Sequence, residues 1–343
     1  MAANYGLPAS GKTNCRPMAF NFRSGRKAAI TSLTTITSQN KKKKQMTGLV
    51  LEGGALRGLF SAGIMDVMME NGIPIDGLIG VSAGAAFGCN YKSRQPGRCI
   101  RYNTRFARDW RYCSLRSLLT TGDLFGGEFC YHEMPKELDI FDEKTFDDNP
   151  MEFYAVCTDV ETGRPVYQKL MHHSYECYEW IRASASMPVV SRLVKIGGRK
   201  LLDGGIADSI PLRYFQNAGY RRNIVIETQP RDYVKGPNRL LPLFRLVLRR
   251  YPEFLKTAAQ RHLMYNEQKA YVRQQEALGQ TLVLRPEKPL PIGHLSSNPD
   301  EMRRVYDIGY RMGLKRLDDI RHFVSASASV DKGETAGHAA ETD

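Results

Sequence analysis

A serine and an aspartate, each set among glycines, are the residues of this chain whose types and spacing could do chemistry. The serine lies in Gly80-Val81-Ser82-Ala83-Gly84, after the apolar run Ile75-Asp76-Gly77-Leu78-Ile79 and before the small residues Ala85 and Ala86. A G-x-S-x-G pattern that leaves a strand and opens a helix lifts the hydroxyl onto a strained corner, where the helix N-terminus favours an oxyanion. Gly80 and Gly84 keep that corner free of clashing side chains. Ser82 is thus a candidate nucleophile for acyl transfer. Alone, the pattern also describes an inert Gly/Ser turn, so other segments must decide.

Three of them do. Glu52-Gly53-Gly54-Ala55-Leu56-Arg57-Gly58 follows a short apolar strand and begins a helix. Such a turn exposes backbone N–H groups beside a helix N-terminus. A dinucleotide loop would need glycine at Ala55, and a P-loop would need G-K-[ST], which is missing. An oxyanion hole needs only two amides aimed at one point, and Ala55 keeps its N–H. Arg57 either neutralises charge there or pairs with an acid on the surface. Leu202-Asp203-Gly204-Gly205 ends a strand, so Asp203 reaches the carboxyl edge of the sheet, where a carboxylate can take the serine proton directly. In isolation, Asp-Gly also reads as a turn. Ala183-Ser184-Ala185-Ser186-Met187-Pro188 reads as a helix end whose small residues pack under the site, with neither serine a nucleophile.

The elements that must position these groups alternate. Strands are expected at 47–51, 78–81, 152–158, 224–227 and 282–284. A hairpin is expected at 193–202 about Gly197-Gly198. Helices are expected at 58–71, from 83, at 175–184, within 243–277 and at 299–318. This order predicts an α/β fold with a mostly parallel sheet covered on both faces. The segment 92–150 has no clear period and suits a lid or cap over the site.

With their order and spacing, Gly53 to Gly58, Gly80 to Gly84, Ala183 to Pro188 and Asp203 to Gly205 resemble the patatin-like phospholipases. The resemblance spans about 47–230, and reaches about 320 with bacterial members that carry a C-terminal helical extension. It implies a three-layer α/β/α sandwich, a Ser–Asp dyad without histidine, and hydrolysis of lipid acyl esters with no metal or cofactor. By position it implies Ser82 as nucleophile and Asp203 as general base. The amides of Gly53, Gly54 and Ala55 would form the oxyanion hole, with Arg57 as the basic residue of that loop. Gly58, Gly80, Gly84, Gly204 and Gly205 complete the motifs. The chain departs from the pattern at Glu52, where aspartate is usual, at Ala55, where glycine is usual, and at Asp208, where an amide is common. Ala55 is strained if its φ is positive. Asp208 either raises the pKa of Asp203 by like charge or faces solvent.

Composition bounds the rest. The chain has 343 residues and a net charge of +13, of which residues 1–47 carry nine Lys/Arg and no acid, leaving +4 elsewhere. The basicity is mainly a tail property, and no nucleic-acid partner is expected. Residues 1–46 read as a disordered basic tail, 47–230 as the catalytic domain, 231–324 as a mostly helical extension packed on it, and 325–343 as a disordered tail. Seven scattered cysteines without a C-x-x-C argue for a reducing compartment. No apolar segment follows the N-terminal charges, which argues against a secretory signal. A cytoplasmic location is expected, with peripheral contact at the inner membrane surface. Lys41 to Lys44 and the cationic apolar run Leu240 to Tyr251 are the stretches that would make it; the bland readings are a solvated tail and a core helix with basic ends. A lipid is the expected partner, and oligomeric state is not legible. Two rival readings stand: a Ser–Asp–His esterase using His262 or His294, and a lipid-binding regulatory protein with weakened catalysis at Ala55.

Overall fold

A computed structural model describes residues 45–293 and 295–329. Lys41–Lys44, His294, the rest of the N-terminal tail and residues 330–343 lie outside the described residues. In chain order the elements are β1 (Thr47–Leu51), α1 (Gly58–Glu70), β2 (Gly77–Val81), α2 (Ala83–Lys92), α3 (Arg98–Arg105), α4 (Leu115–Thr121), α5 (Glu143–Asp148), β3 (Glu152–Asp159), β4 (Pro165–Lys169) and α6 (Tyr175–Ala185). They continue with β5 (Val194–Ile196), β6 (Arg199–Asp203), α7 (Leu212–Asn217), β7 (Arg222–Ile226), α8 (Leu241–Val247), α9 (Pro252–Ala277), β8 (Thr281–Leu284), α10 (Pro299–Lys315) and α11 (Leu317–Ser329). Short 3₁₀ turns at Ala55–Arg57 and Gly204–Ile206 and a π-helix at Phe129–Leu138 complete the set.

The apolar runs become strands buried on both faces. β1 and β2 have no exposed residue, and their side chains alternate between two cores. Leu49, Leu51 and Leu78 face one core with α1, α2, α6 and α10; Val50, Ile79 and Val81 face the other with α7 and α9. That is the α/β/α sandwich, and the period-2 alternation produces it. The strand order is β5-β6-β3-β2-β1-β7-β8, with β4 also on β3. β3, β2, β1, β7 and β8 run parallel, whereas β4 and β6 pair antiparallel with β3, and β5 pairs antiparallel with β6.

The register at β3 brings the two chemical segments together. β4 holds one edge of β3 from Tyr154 to Thr158. Along the other edge, β2 pairs up to Val81↔Val156, and β6 takes over at Cys157↔Asp203. β2 turns off the sheet at Ser82 where β6 delivers Asp203, so the serine and the aspartate meet at one point of one strand edge.

The C-terminal region is part of the same body. β8 extends the sheet beside β7, and α10 crosses α1 closely: a Cβ on Gly309 would lie 2.0 Å from the Phe60 carbonyl oxygen. The described residues fall in one compact unit. Helix α11 continues to Ser329, which corrects the expectation of a disordered tail from 325. The long helical stretch read at 243–277 is two helices, broken at Leu248–Tyr251 before Pro252. Among the described residues the cysteines are free, no helix is long and apolar enough to cross a membrane, and no group of side chains suits a metal ion.

Candidate active site

The serine corner is strained and held. Ser82 has φ 55° and ψ −122°, a conformation that costs a non-glycine residue about 1–3 kcal/mol. The turn has no room for side chains at its flanks: a Cβ on Gly80 would lie 2.3 Å from the Gly84 carbonyl oxygen, and one on Gly84 2.6 Å from that of Leu51. A tie from 102 residues away fixes the corner. The buried Ser184 Oγ accepts from the Ser82 N–H at 2.9 Å and donates to the Val156 carbonyl at 2.6 Å. The small-residue segment therefore does more than pack. The Ser186 carbonyl accepts from the Asp203 N–H at 2.8 Å, so one helix end ties both chemical segments.

Asp203 is buried, with its Oδ1 accepting from the Gly205 N–H at 2.7 Å. Burial raises its pKa above the usual aspartate value. Arg261, the Ser82 side chain, the Gly205 amide and Lys235 act in the opposite direction. Asp208 does neither thing expected of it. It is buried rather than facing solvent, and it is bound by Tyr167 Oη and Gln268 Nε2, each at 2.7 Å. The charges acting on Asp203 are those of Arg261 and Lys235.

The glycine loop lies against the serine. A Cβ on Gly53 would meet the Ser82 Cβ at 2.9 Å, so only glycine lets the loop approach this closely. Ala55 takes φ 48°, the left-handed conformation that favours glycine. Glu52 proves to be a brace. Its buried carboxyl accepts from the Thr228 N–H at 2.6 Å and from Tyr265 Oη at 2.7 Å. Burial raises its pKa, and Glu227 adds to the rise.

Gly53, Gly54, Ala55, Arg57, Ser82, Asp203 and Gly205 all line one cleft of about 540 Å³. Of the four non-glycine residues with positive φ among the described residues, Ala55, Ser82 and Val189 line it. Such strain gathers where surrounding structure enforces a geometry. Lys235 and Arg261 join Arg57 in the cleft wall, so three basic residues share that wall with the serine and the aspartate. Burial, with Arg261 nearby, lowers the Lys235 pKa to about 8. A second, smaller pocket of about 110 Å³ also borders Ser82. Its wall includes Phe87, Tyr102, Met134 and Ile181 and is mainly apolar. The segment 92–150 supplies much of it, so that segment walls a pocket that Ser82 shares.

Helix α9 contributes residues that the sequence did not reveal. Arg261 Nε donates to the Gly205 carbonyl at 2.6 Å, Tyr265 holds Glu52, and Gln268 Oε1 accepts from the Ile210 N–H at 3.0 Å. Their spacing of i, i+4 and i+7 puts them on one helix face. That polar–aromatic stripe was the available signal. His262 lies beside Arg261 in sequence but does not line the cleft.

Residues 49–215 match the family model for the patatin-like phospholipases. This segment is a patatin-like phospholipase domain. Residues 251–325 match a second model, a domain of unknown function (DUF6363), which begins at α9. The chain is 27% identical over 294 residues to lysophospholipase nte1 of Aspergillus oryzae, covering 80% of this chain and 18% of that protein. It is 27% identical over 295 residues to the uncharacterized protein YjjU of Escherichia coli, covering 83% of this chain and 80% of that one. The chain spans less than a fifth of the length of the lysophospholipases that it matches first. VipD from Legionella pneumophila, a solved structure, aligns with a TM-score of 0.41 at 12% identity, over 80% of this chain and 67% of that one.

Proposed function

We propose that the patatin-like domain is a serine acyl hydrolase that cleaves carboxylic esters of phospholipids, with lysophospholipids the substrates its site suits best. One observation carries the reading. Ser82 stands at the seam between a cleft walled by Arg57, Lys235 and Arg261 and a smaller apolar pocket. An ester carbonyl at that seam would send a phosphate-bearing headgroup one way and an acyl chain the other. The lysophospholipase relatives favour the same class.

In this mechanism Ser82 Oγ attacks the ester carbonyl carbon while Asp203 takes the hydroxyl proton. The amides of Gly53, Gly54 and Ala55 receive the oxyanion, worth about 3–4 kcal/mol per donor in such sites. The tetrahedral intermediate collapses, the C–O bond to the alcohol breaks, and the protonated Asp203 returns its proton to the leaving oxygen. Water then gives a proton to Asp203 and attacks the acyl-serine, and Ser82 leaves with that proton as the fatty acid departs. The raised pKa of Asp203 makes it a better base than a solvated aspartate.

The test runs a panel of lysophospholipids, diacyl phospholipids, monoacylglycerols and short p-nitrophenyl esters beside Ser82→Ala, Asp203→Asn and His262→Ala. Asp203→Asn should lower kcat by at least about 10³-fold with the melting temperature kept. His262→Ala should be silent. Retained turnover in Asp203→Asn would refute the dyad, and loss in His262→Ala would restore the three-residue alternative. If a fluorophosphonate failed to label Ser82, the protein would be a lipid binder rather than a hydrolase.

A further inference from the structure

We propose that α8 seats the mouth of the cleft on an anionic lipid surface. The proposal deepens the lipid reading above, and its test needs no turnover. Leu240, Leu243, Leu246 and Val247 are 57%, 40%, 71% and 54% exposed, and their spacing places them along one face of the helix. Phe244 and Leu248 turn inward instead and are 5% and 7% exposed, with Phe244 6.5 Å from the Phe254 ring. Phe244 is therefore the anchor, and its neighbours are the exposed face. Single exposed leucines are ordinary, but four exposed apolar residues along one helix face mark an interaction surface.

Charge decides the occupant. Arg239, Arg245, Arg249 and Arg250 are exposed around this face, and no Asp or Glu occurs from 233 to 252. Apolar residues ringed by cations match a bilayer interface bearing anionic headgroups. Position decides the use. Leu240 and Leu243 also line the cleft that contains Ser82 and Asp203, so a membrane on this face would lie at the cleft opening. A lipid would then reach Ser82 without crossing water. Because Phe244 and Leu248 already fix the helix, binding requires little new ordering.

The experiment measures sedimentation of the full chain, carrying Ser82→Ala so that lipid is not consumed. The vesicles are phosphatidylcholine alone or phosphatidylcholine mixed with phosphatidylglycerol. Leu246→Glu with Val247→Glu should weaken binding to the mixed vesicles at least about tenfold. Arg245→Gln with Arg249→Gln should weaken it about fivefold for each arginine at low salt and leave binding to phosphatidylcholine alone unchanged. Lys41 to Lys44 are present in every variant, so the differences report α8. Melting temperatures confirm folding, and the docking result stands whether or not an ester is cleaved. Unchanged binding in the Leu246/Val247 variant would overturn the proposal. So would conversion of a dimer to a monomer by that variant, because a second copy would then cover the face.

Discussion

Replacing Ser184 with alanine tests whether the Ser82 corner is held from outside its own motif. Ser184 is fully buried, and its Oγ makes two hydrogen bonds, from the Ser82 N–H at 2.9 Å and to the Val156 carbonyl at 2.6 Å. Alanine fits the same space and makes neither. Two intramolecular bonds at about 0.5–1.5 kcal/mol each give an expected loss of roughly 1–3 kcal/mol. At about 2–4 °C per kcal/mol, the melting temperature should fall by several degrees. The loss touches the residue that bears φ 55°, so chemistry should suffer beyond stability. The assay is fluorophosphonate labelling at a temperature where wild type and variant are both fully folded. If relaxing the corner displaces the hydroxyl at a cost near 1.4 kcal/mol, labelling slows about tenfold. A variant that melted lower but labelled at the wild-type rate would show Ser184 to be ordinary core. One that matched wild type in both would refute the tie altogether.

Three further predictions concern charge and strain. Lys235 titrates near 8, so if its charge holds the headgroup phosphate, kcat/KM for a phospholipid should fall above that pH, whereas a neutral p-nitrophenyl ester shows no such limb. In Lys235→Arg the limb should disappear; its persistence would sink the assignment. Asp66 on α1 faces α10, accepting from Tyr306 Oη at 2.7 Å and the Gly97 N–H at 2.8 Å, and burial raises its pKa from 3.8 to about 6. The folded state therefore binds the proton more tightly, and stability falls as pH rises from about 4 to 6. Asp66→Asn keeps an acceptor without the charge and should raise stability at pH 7 by up to about 3 kcal/mol, with the gain lost below pH 4; a variant that is less stable at pH 7 would refute this. Ala55→Gly relieves about 1–2 kcal/mol of left-handed strain and costs up to about 1 kcal/mol in chain entropy, so thermal unfolding should move upward by no more than a few degrees. A clear fall would show that the alanine methyl packs usefully at the seam of the two pockets.

The legible parts of this protein are those where a residue type has one structural use. Apolar runs such as Leu49–Leu51 and Leu78–Val81 could only be buried strands, and the glycines of three loops marked places where backbones touch. β4 escaped because it is a half-exposed edge strand of mixed polarity, opened by a proline. The segment 92–150 escaped because its helices are only 6 to 10 residues long and one contains Pro135, too short and irregular for a period to appear. Ser184 gave no signal because a serine's partner 102 residues away leaves no local trace. Phe244 and Leu246 look alike in sequence, and only the packing of α8 on α9 separates anchor from exposed face.

Helix α9 shows why the second matched segment accompanies the first. The turns that present Gly53 to Arg57 and Asp203 to Ile210 are short, glycine-rich and strained, and turns of that kind do not hold their shape alone. Arg261, Tyr265 and Gln268 lie along one face of a single rigid helix. They reach, in order, the Gly205 carbonyl, the Glu52 carboxyl and the amides of Ser209 and Ile210. One rigid element thus fixes both loops relative to each other, which neither loop's own strand can do. Lys269, one residue further on, is buried against Glu227 at 2.9 Å, and Glu227 also binds Arg285 at 2.8 Å. That pair clamps α9 to the β7 end and the residues just past β8. The segment beginning at 251 is therefore part of the machinery that shapes the cleft, and a chain cut before α9 would lose the geometry at Ser82 and Asp203 even if its sheet still formed.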